Sequence, residues 1–344
     1  MNILFRTSGS KSIGLGHVRR CVTISNFMIE KFNINCYFLI DDCPEIKPFI
    51  SSIRNEYLFL LDHKATRESD LAQIDSIIRA CDIDFLILDL LDFYLEPFFI
   101  DKLHEFPVIT AAIIDDSFYK LLDVDLVING NPNQLKFTYP DKYVSKYLLG
   151  PEFFIMDDAY NYLSDCYRDS GKFFVSLGGS DHNDLLFDLL AALEGVDHVK
   201  SIRLVSSTTS GYFGVLKDYL VTYQKPVELL WDVDSLSSYW FGCEFAVTAG
   251  GNTLFERIAA GIPGATLCQL DRQNEIADCF EKMGLNFNLG MGDSLKQIDL
   301  TVKLNKYFRS PHNKTDQLKK LANTNYGSGL QRFVDRIFEM RHLA

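Results

Sequence analysis

Two features common in chains of this length are missing here: a long apolar run and a surplus of basic residues. No uninterrupted apolar stretch approaches the ~20 residues that cross a bilayer. The opening MNILFRTSGS enters a strand-like run with no charged-then-apolar leader. The reading is therefore a cytoplasmic protein, with neither a signal peptide nor a membrane span. Lys and Arg number 34 against 46 Asp and Glu, for a formal net charge of −12. That balance argues against a general nucleic-acid surface, which needs clustered cations, but leaves room for a local basic site that holds a small anion. The eight cysteines form no C-x-x-C pair and lie scattered through apolar runs. Free, buried thiols are expected, in place of a disulfide frame or a zinc site. No His/Cys cluster has metal-ligand spacing, and no Gly-Lys-Ser/Thr or G-x-S-x-G sequence follows a strand-like run. No metal, no cofactor and no serine-hydrolase chemistry are expected.

What is present is a two-fold grammar of short apolar runs and helix-length spacers. The chain has 344 residues, 47% of them hydrophobic and 23% charged, enough for two soluble domains. The first half offers NILF (2–5), NCYFLID (35–41), EYLFLLD (56–62), FLILDLL (85–91), VITAAIIDD (108–116) and LVING (126–130). The second half restarts with KFFVSLGGS (172–180), IRLVSS (202–207), VELLW (227–231), EFAVTAGG (244–251) and GATLCQL (264–270). Continuously apolar runs with helix-length spacers fit buried parallel strands and crossover connections. The expected fold class is α/β, with two doubly wound Rossmann-like domains facing a central cleft. The expected boundaries are 1–150 for the first domain, 151–170 for a linker, 171–314 for the second, and 315–344 for helices that run back over the first.

Three loops at the ends of strand candidates carry glycine and small polar residues. They are Gly14 and Gly16 in SIGLGHVRRC, Gly178-Gly179-Ser180, and Gly250-Gly251-Asn252-Thr253. Glycine lets backbone N–H groups approach a phosphate, and the following helix adds its positive end. Any one such loop is also what a tight turn requires; three together point to an anionic ligand. His17 falls at the start of the first helix, where it either caps the helix or faces a ligand. A neutral imidazole there orients or deprotonates a water; a charged one stabilises a leaving diphosphate. Arg6 and Arg20 are suited to a phosphate or a carboxylate. Glu256 comes one turn into the helix after the third loop, and Gln273 begins the next helix in LDRQNE.

With these residues in place, FRTSGSKSIGLGHVRRC resembles the N-terminal signature of the UDP-sugar hydrolases of pseudaminic acid biosynthesis and their spore-coat polysaccharide relatives. That family reads roughly F-R-x-D-x-S-x-x-I-G-x-G-H-x-x-R-C. The resemblance continues through AAIIDDSF, VDLVINGNP, YLLGPEFFIM, VSLGGSD, TAGGNTLFERIAAGIPGATLCQLDRQ and YGSGLQR. The third loop is also similar to the G-G-x-T-x-x-E donor site of peptidoglycan N-acetylglucosaminyltransferases, GT-B glycosyltransferases of the MurG type. The resemblance implies a GT-B fold and a UDP-sugar substrate. The implied reaction is metal-independent hydrolysis of a UDP-linked 2,4-diacetamido-2,4,6-trideoxyhexose by water, with inversion at the anomeric carbon. It implies His17 as the catalytic group handling water, and Arg20 as the family arginine. Arg19 has no family match and is expected at the surface. Glu256 is implied on the ribose hydroxyls of UDP, the third loop on the diphosphate, and Gln273 near sugar or phosphate. A GT-B glycosyltransferase with a carbohydrate or lipid-linked acceptor is the alternative.

This sequence departs from the family twice. Arg6 is followed by Thr7-Ser8, where the family has aspartate at the second position, and the family D-H-Y is Asp89-Leu90-Leu91 here. Adjacent carboxylates, Asp41-Asp42, Asp115-Asp116 and Asp157-Asp158, point to opposite faces if they lie on strands, and so are not pairs in space, although one of Asp115 and Asp116, a pair the family also has, can face the cleft at a strand end. Asp123-Val124-Asp125 and Asp232-Val233-Asp234 read as capping and solvated groups.

Overall fold

The computed structural model describes every residue except 11–14, 52, 63, 92–94, 164–167, 179–184, 209, 211–212 and 344. The expected ligand contacts Gly14, Gly179 and Ser180 lie outside the described residues. The chain divides into two compact units, one of Met1–Met156 with Gly329–Ala344 and one of Asp157–Ser328.

The first unit is built on strands β1 (Asn2–Thr7), β2 (Asn35–Asp41), β3 (Leu58–Leu61), β4 (Phe85–Asp89), β5 (Ile109–Ile113), β6 (Leu126–Asn129) and β7 (Tyr147–Leu149). They lie in the order β3-β2-β1-β4-β5-β6-β7, every neighbouring pair parallel. The second unit carries β8 (Arg168–Ser176), β9 (Ser201–Ser206), β10 (Val227–Trp231), β11 (Gly242–Thr248), β12 (Gly264–Cys268) and β13 (Phe287–Met291). Their order is β10-β9-β8-β11-β12-β13, again all parallel. Both units are thus doubly wound α/β sheets, as the apolar runs predict. The chain reverses its direction of winding between β1 and β4, and again between β8 and β11. At such reversals the connections leave in opposite directions and open a crevice at the strand C-termini, where ligands bind.

The two-residue alternation of β1 decides which helix each side chain meets. Ile3 and Phe5 pack with Val18, Cys21 and Ile24 of the Gly16–Phe32 helix, while Leu4 packs with Leu71, Ile74 and Ile78 of the Arg67–Ala80 helix. The Gly329–Leu343 helix adds Leu330, Phe333, Val334 and Ile337 to the first of these cores. Its start needs glycine, because a Cβ on Gly329 would stand 2.1 Å from the carbonyl oxygen of Phe154. In the second unit, Phe173 and Val175 pack against Leu186, Leu189 and Leu190 of the Leu185–Glu194 helix.

The strands absent from the sequence reading, β7 and β13, each lie at one edge of a sheet; the opposite edges, β3 and β10, were marked by apolar runs. One is only Tyr147-Leu148-Leu149, and the other is interrupted by Asn288 and Gly290. An edge strand is buried less completely than a central one and need not show a continuous apolar run. Among the described residues, no helix is long and apolar enough to cross a membrane.

Candidate functional site

The winding reversal of the first unit brings a charged cluster to the C-terminal ends of β1, β4 and β5. His17 is the second residue of the Gly16–Phe32 helix. Its Nδ1 lies 2.7 Å from Oδ1 of Asp89, the last residue of β4. Arg20, one turn further along the helix, donates from Nε to Asp89 Oδ2 and from Nη2 to Asp89 Oδ1, both at 2.7 Å. The same guanidinium donates from Nη1 and Nη2 to Asp115 at 2.7 and 2.9 Å. Asp89 is fully buried, whereas the side chain of Asp115 is 52% exposed.

Burial alone would raise the pKa of Asp89. The charge of Arg20 and the hydrogen bonds from Arg20 and His17 overcome it and hold the carboxyl below its usual range. Burial likewise works against the Arg20 cation, yet Asp115 and Asp89 push its pKa well above the ordinary arginine value. An ionised Asp89 only accepts hydrogen bonds, so it assigns the imidazole proton to Nδ1 and leaves the lone pair on Nε2. Arg20 Nη2 also comes within 3.3 Å of Nδ1, but both hydrogens of that nitrogen are directed at Asp89 and Asp115. The result is an aspartate–histidine pair stiffened by an arginine, a standard way to orient a general base.

Gly16 opens the same helix, and a Cβ there would meet nothing within 4 Å. Packing inside the first unit therefore does not require a glycine at this position. Arg19 is exposed, as expected. Arg6 behaves differently. It shares the face of β1 that carries Leu4, so it points toward the Arg67–Ala80 helix and away from the helix of His17. Its Nε and Nη2 donate to Asp70 at 2.9–3.0 Å, Nη2 also donates to Asp41 at 2.7 Å, and Nη1 to the Thr7 carbonyl at 2.6 Å. At 1% exposure, Arg6 meets carboxylates inside the first unit, the second of the two partners expected for it.

In the second unit the reversal lies between β8 and β11. Gly178 follows β8 with φ +87°, a left-handed backbone that glycine adopts without strain. After β11 come Ala249, Gly250 and Gly251, and then the Asn252–Ala259 helix, whose start has no side-chain cap. Its first-turn N–H groups are those a diphosphate would take. Gly250 is forced by close approach: a Cβ would lie 2.7 Å from Cβ of Gln273 and 2.9 Å from its carbonyl oxygen. Gln273 sits in the first turn of the Asp271–Lys282 helix, its Oε1 accepting from the Gln269 N–H at 2.9 Å. Gln269 in turn donates from Nε2 to the Leu177 carbonyl at 2.9 Å. The loops after β8, β11 and β12 are thereby tied together, with Gly178, Gly250, Gly251, Asn252, Thr253 and Gln273 on them. Glu256, half-buried on the same short helix, acts electrostatically on Tyr160, whose hydroxyl burial and Glu256 together push up in pKa.

The sequence reading left Asp89 unassigned. Its signal is an aspartate inside an otherwise apolar run, FLILDLL, since a charge on a buried strand must find partners. Asp232 receives hydrogen bonds from Thr208 N and Ser207 Oγ at 3.0 and 2.9 Å, and Asp125 from Thr110 N at 2.9 Å. One aspartate of each D-x-D stretch thus holds backbone of its own unit, Asp125 on strand β5 and Asp232 on the loop after β9. Among the described residues, no group of three or more His, Cys, Asp or Glu side chains is placed to hold a metal ion.

No family model matches the sequence. The spore coat polysaccharide biosynthesis protein SpsG of Bacillus subtilis is 25% identical over 192 residues, which are 54% of this chain and 56% of that protein. An uncharacterized protein of Methanocaldococcus jannaschii is 24% identical over 295 residues, 82% of this chain and 58% of that protein. The chain thus spans a little over half the length of these curated relatives. Among solved structures, MurG of Acinetobacter baumannii superposes with a TM-score of 0.71 at 10% identity, over 98% of this chain and 100% of that one. The co-structure of S. aureus MnaA with UDP gives a TM-score of 0.62 at 10% identity, over 100% and 97% of the two chains. The chain is a homologue of SpsG, and its two α/β domains have the GT-B fold of the MurG-type glycosyltransferases.

Proposed function

We propose that this protein is a nucleotide-sugar enzyme that hydrolyses a UDP-linked 2,4-diacetamido-2,4,6-trideoxyhexose to the free sugar and UDP, with inversion at the anomeric carbon. The observation that carries the reading is the His17–Asp89 contact of 2.7 Å at the end of the first sheet. In this mechanism Nε2 of His17 takes a proton from water as the water oxygen bonds to the anomeric carbon. The bond from that carbon to the UDP oxygen breaks, and UDP leaves with the electron pair. Asp89 stabilises the imidazolium that forms, and Arg20 keeps Asp89 ionised and in place. The donor nucleotide is assigned to the second unit, with the diphosphate on the N–H groups at Gly250–Thr253 and the ribose on Glu256. The homology to SpsG, the presence of UDP in the MnaA structure and the resemblance of GGNTLFE to a UDP-sugar donor site support that assignment.

A second reading, transfer of the sugar to an acceptor, is favoured by the similarity to MurG. The test is incubation with UDP-activated diacetamido-trideoxyhexoses in the absence of acceptor, following UDP release and the anomer formed. Release that disappears in His17→Ala supports hydrolysis. Turnover that begins only when an acceptor is supplied sinks hydrolysis in favour of transfer. UDP binding without turnover in either arm rejects both.

A further inference from the structure

The VDLVINGNP stretch and Asp116 have no role in the mechanism above, yet with Asp115, which holds Arg20, they form one polar network beside it. Asn129, which ends β6, and Asn131, Asn133 and Gln134 after it are all at most 5% exposed. Their amides hold the loop leaving β5. Asn129 Nδ2 and Gln134 Nε2 donate to the Asp116 carbonyl at 3.0 and 2.6 Å, and Asn131 Nδ2 donates to the Asp115 carbonyl at 3.4 Å. The holding loop is itself braced, with Asn131 N on Asn129 Oδ1 and Asn133 N on Asn131 Oδ1, both at 2.9 Å. Gly130 permits this packing, since a Cβ there would stand 2.6 Å from Cα of Phe154.

So much fixing of one backbone makes the state of the Asp116 side chain informative. Asp115 spends its carboxylate on Arg20. Asp116, only 15% exposed, keeps Oδ2 shut off from solvent with no hydrogen-bond partner. The charged groups around it are Asp115 next in the chain, Arg20 behind Asp115, and Lys120, whose Nζ is 4.0 Å away and outside hydrogen-bonding range. A second buried atom in the same network, Nδ2 of Asn133, also lacks a partner, while Oδ1 of that residue accepts from Lys136. One braced network therefore carries an unused acceptor and an unused donor, a costly arrangement for folding alone.

We propose that Asp116 is a sugar-recognition residue, its carboxyl group accepting an N–H or O–H of the sugar, with Asn133 serving the matching carbonyl or hydroxyl oxygen. An acetamido group presents both an N–H and a carbonyl. This inference rests on the nucleotide-sugar reading and names a specificity determinant for it. Burial, and after it the charge of Asp115, moves the Asp116 carboxyl up to about 6. In the folded protein it becomes a full anionic acceptor only above that pH. Because the folded value is raised, ionised Asp116 weakens the fold above pH ~6, and the penalty is absent below ~4.

The test is full-length Asp116→Asn against wild type, in three measurements. The expected result at pH 8 is a melting temperature equal to or above wild type, with the difference gone at pH 4. UDP affinity should be unchanged, and kcat/KM for the UDP-diacetamido-trideoxyhexose that the wild type turns over should fall at least ~10-fold. The acid side of the wild-type kcat/KM profile should also become less steep in the variant, which keeps the His17 base but lacks the ionisation of Asp116. A variant with kcat/KM within twofold of wild type overturns the proposal, as does one that loses melting temperature and UDP affinity together. A wild type that neither binds UDP nor turns over a UDP-sugar overturns the parent reading itself, which is a different result.

Discussion

Replacing Asp89 by asparagine removes one charge and almost no volume, so its effect measures the cluster around His17. The carboxylate accepts two bonds from Arg20 at 2.7 Å and lies against His17 at 2.7 Å, with no exposure to solvent. Removing one partner of a buried ion pair costs about 3–5 kcal/mol. Arg20 retains Asp115, and the asparagine oxygen still accepts one bond, so about 2–3 kcal/mol is expected here. At 2–4 °C per kcal/mol, the melting transition of the first unit should fall by roughly 4–12 °C. Because the Asp89 pKa is depressed in the folded protein, its stabilising contribution is fully present above the unfolded value of ~3.9. Calorimetry should therefore show the same gap at pH 7 and pH 5, closing only as the pH falls below ~4. Activity should drop further than stability, by about 10²- to 10⁴-fold, since asparagine no longer dictates which imidazole nitrogen carries the proton. A variant that melts within 1 °C of wild type at pH 7, or a gap already closing between pH 7 and 5, would refute this account of the cluster.

Arg6→Met should separate structure from ligand binding in the first unit. It strands Asp70, 3% exposed, without its cation and should cost about 3–5 kcal/mol in urea unfolding, with UDP affinity unaltered. Gly250→Ala drives a methyl group into Gln273; a loss of about 1–3 kcal/mol is expected, together with roughly tenfold weaker UDP binding by titration calorimetry. If Gly250→Ala binds UDP like wild type, the loops after β11 and β12 do not form the nucleotide site.

The central strands were open to reading because parallel strands buried on both faces are written as unbroken apolar runs. The same logic fails at β7, only three residues long, and at β13, where Asn288 and Gly290 break the apolar run. Legibility of the candidate site varied residue by residue. His17 stands in a glycine-flanked helix start, a local pattern with a local physical reason. Arg6 offered two partners, phosphate or carboxylate, and nothing within its own strand chose between them. The alternation of β1 does choose: an arginine in phase with Leu4 belongs to the face of the Arg67–Ala80 helix, where Asp70 waits. Asp89 has a local oddity, a charge within an apolar run, but its partner lies 72 residues away. Sequence can state that such a charge needs a partner; only the register of β1 against β4 states which one. Thr7 pairs with Asp89 in that register, so the last residue of one strand and the helix that follows it meet the last residue of the other. The dyad is therefore a product of sheet topology: adjacency of β1 and β4 at the winding reversal places His17 beside Asp89. Any chain with this strand order and a histidine two residues into its first helix can set a carboxylate at the end of its fourth strand against it.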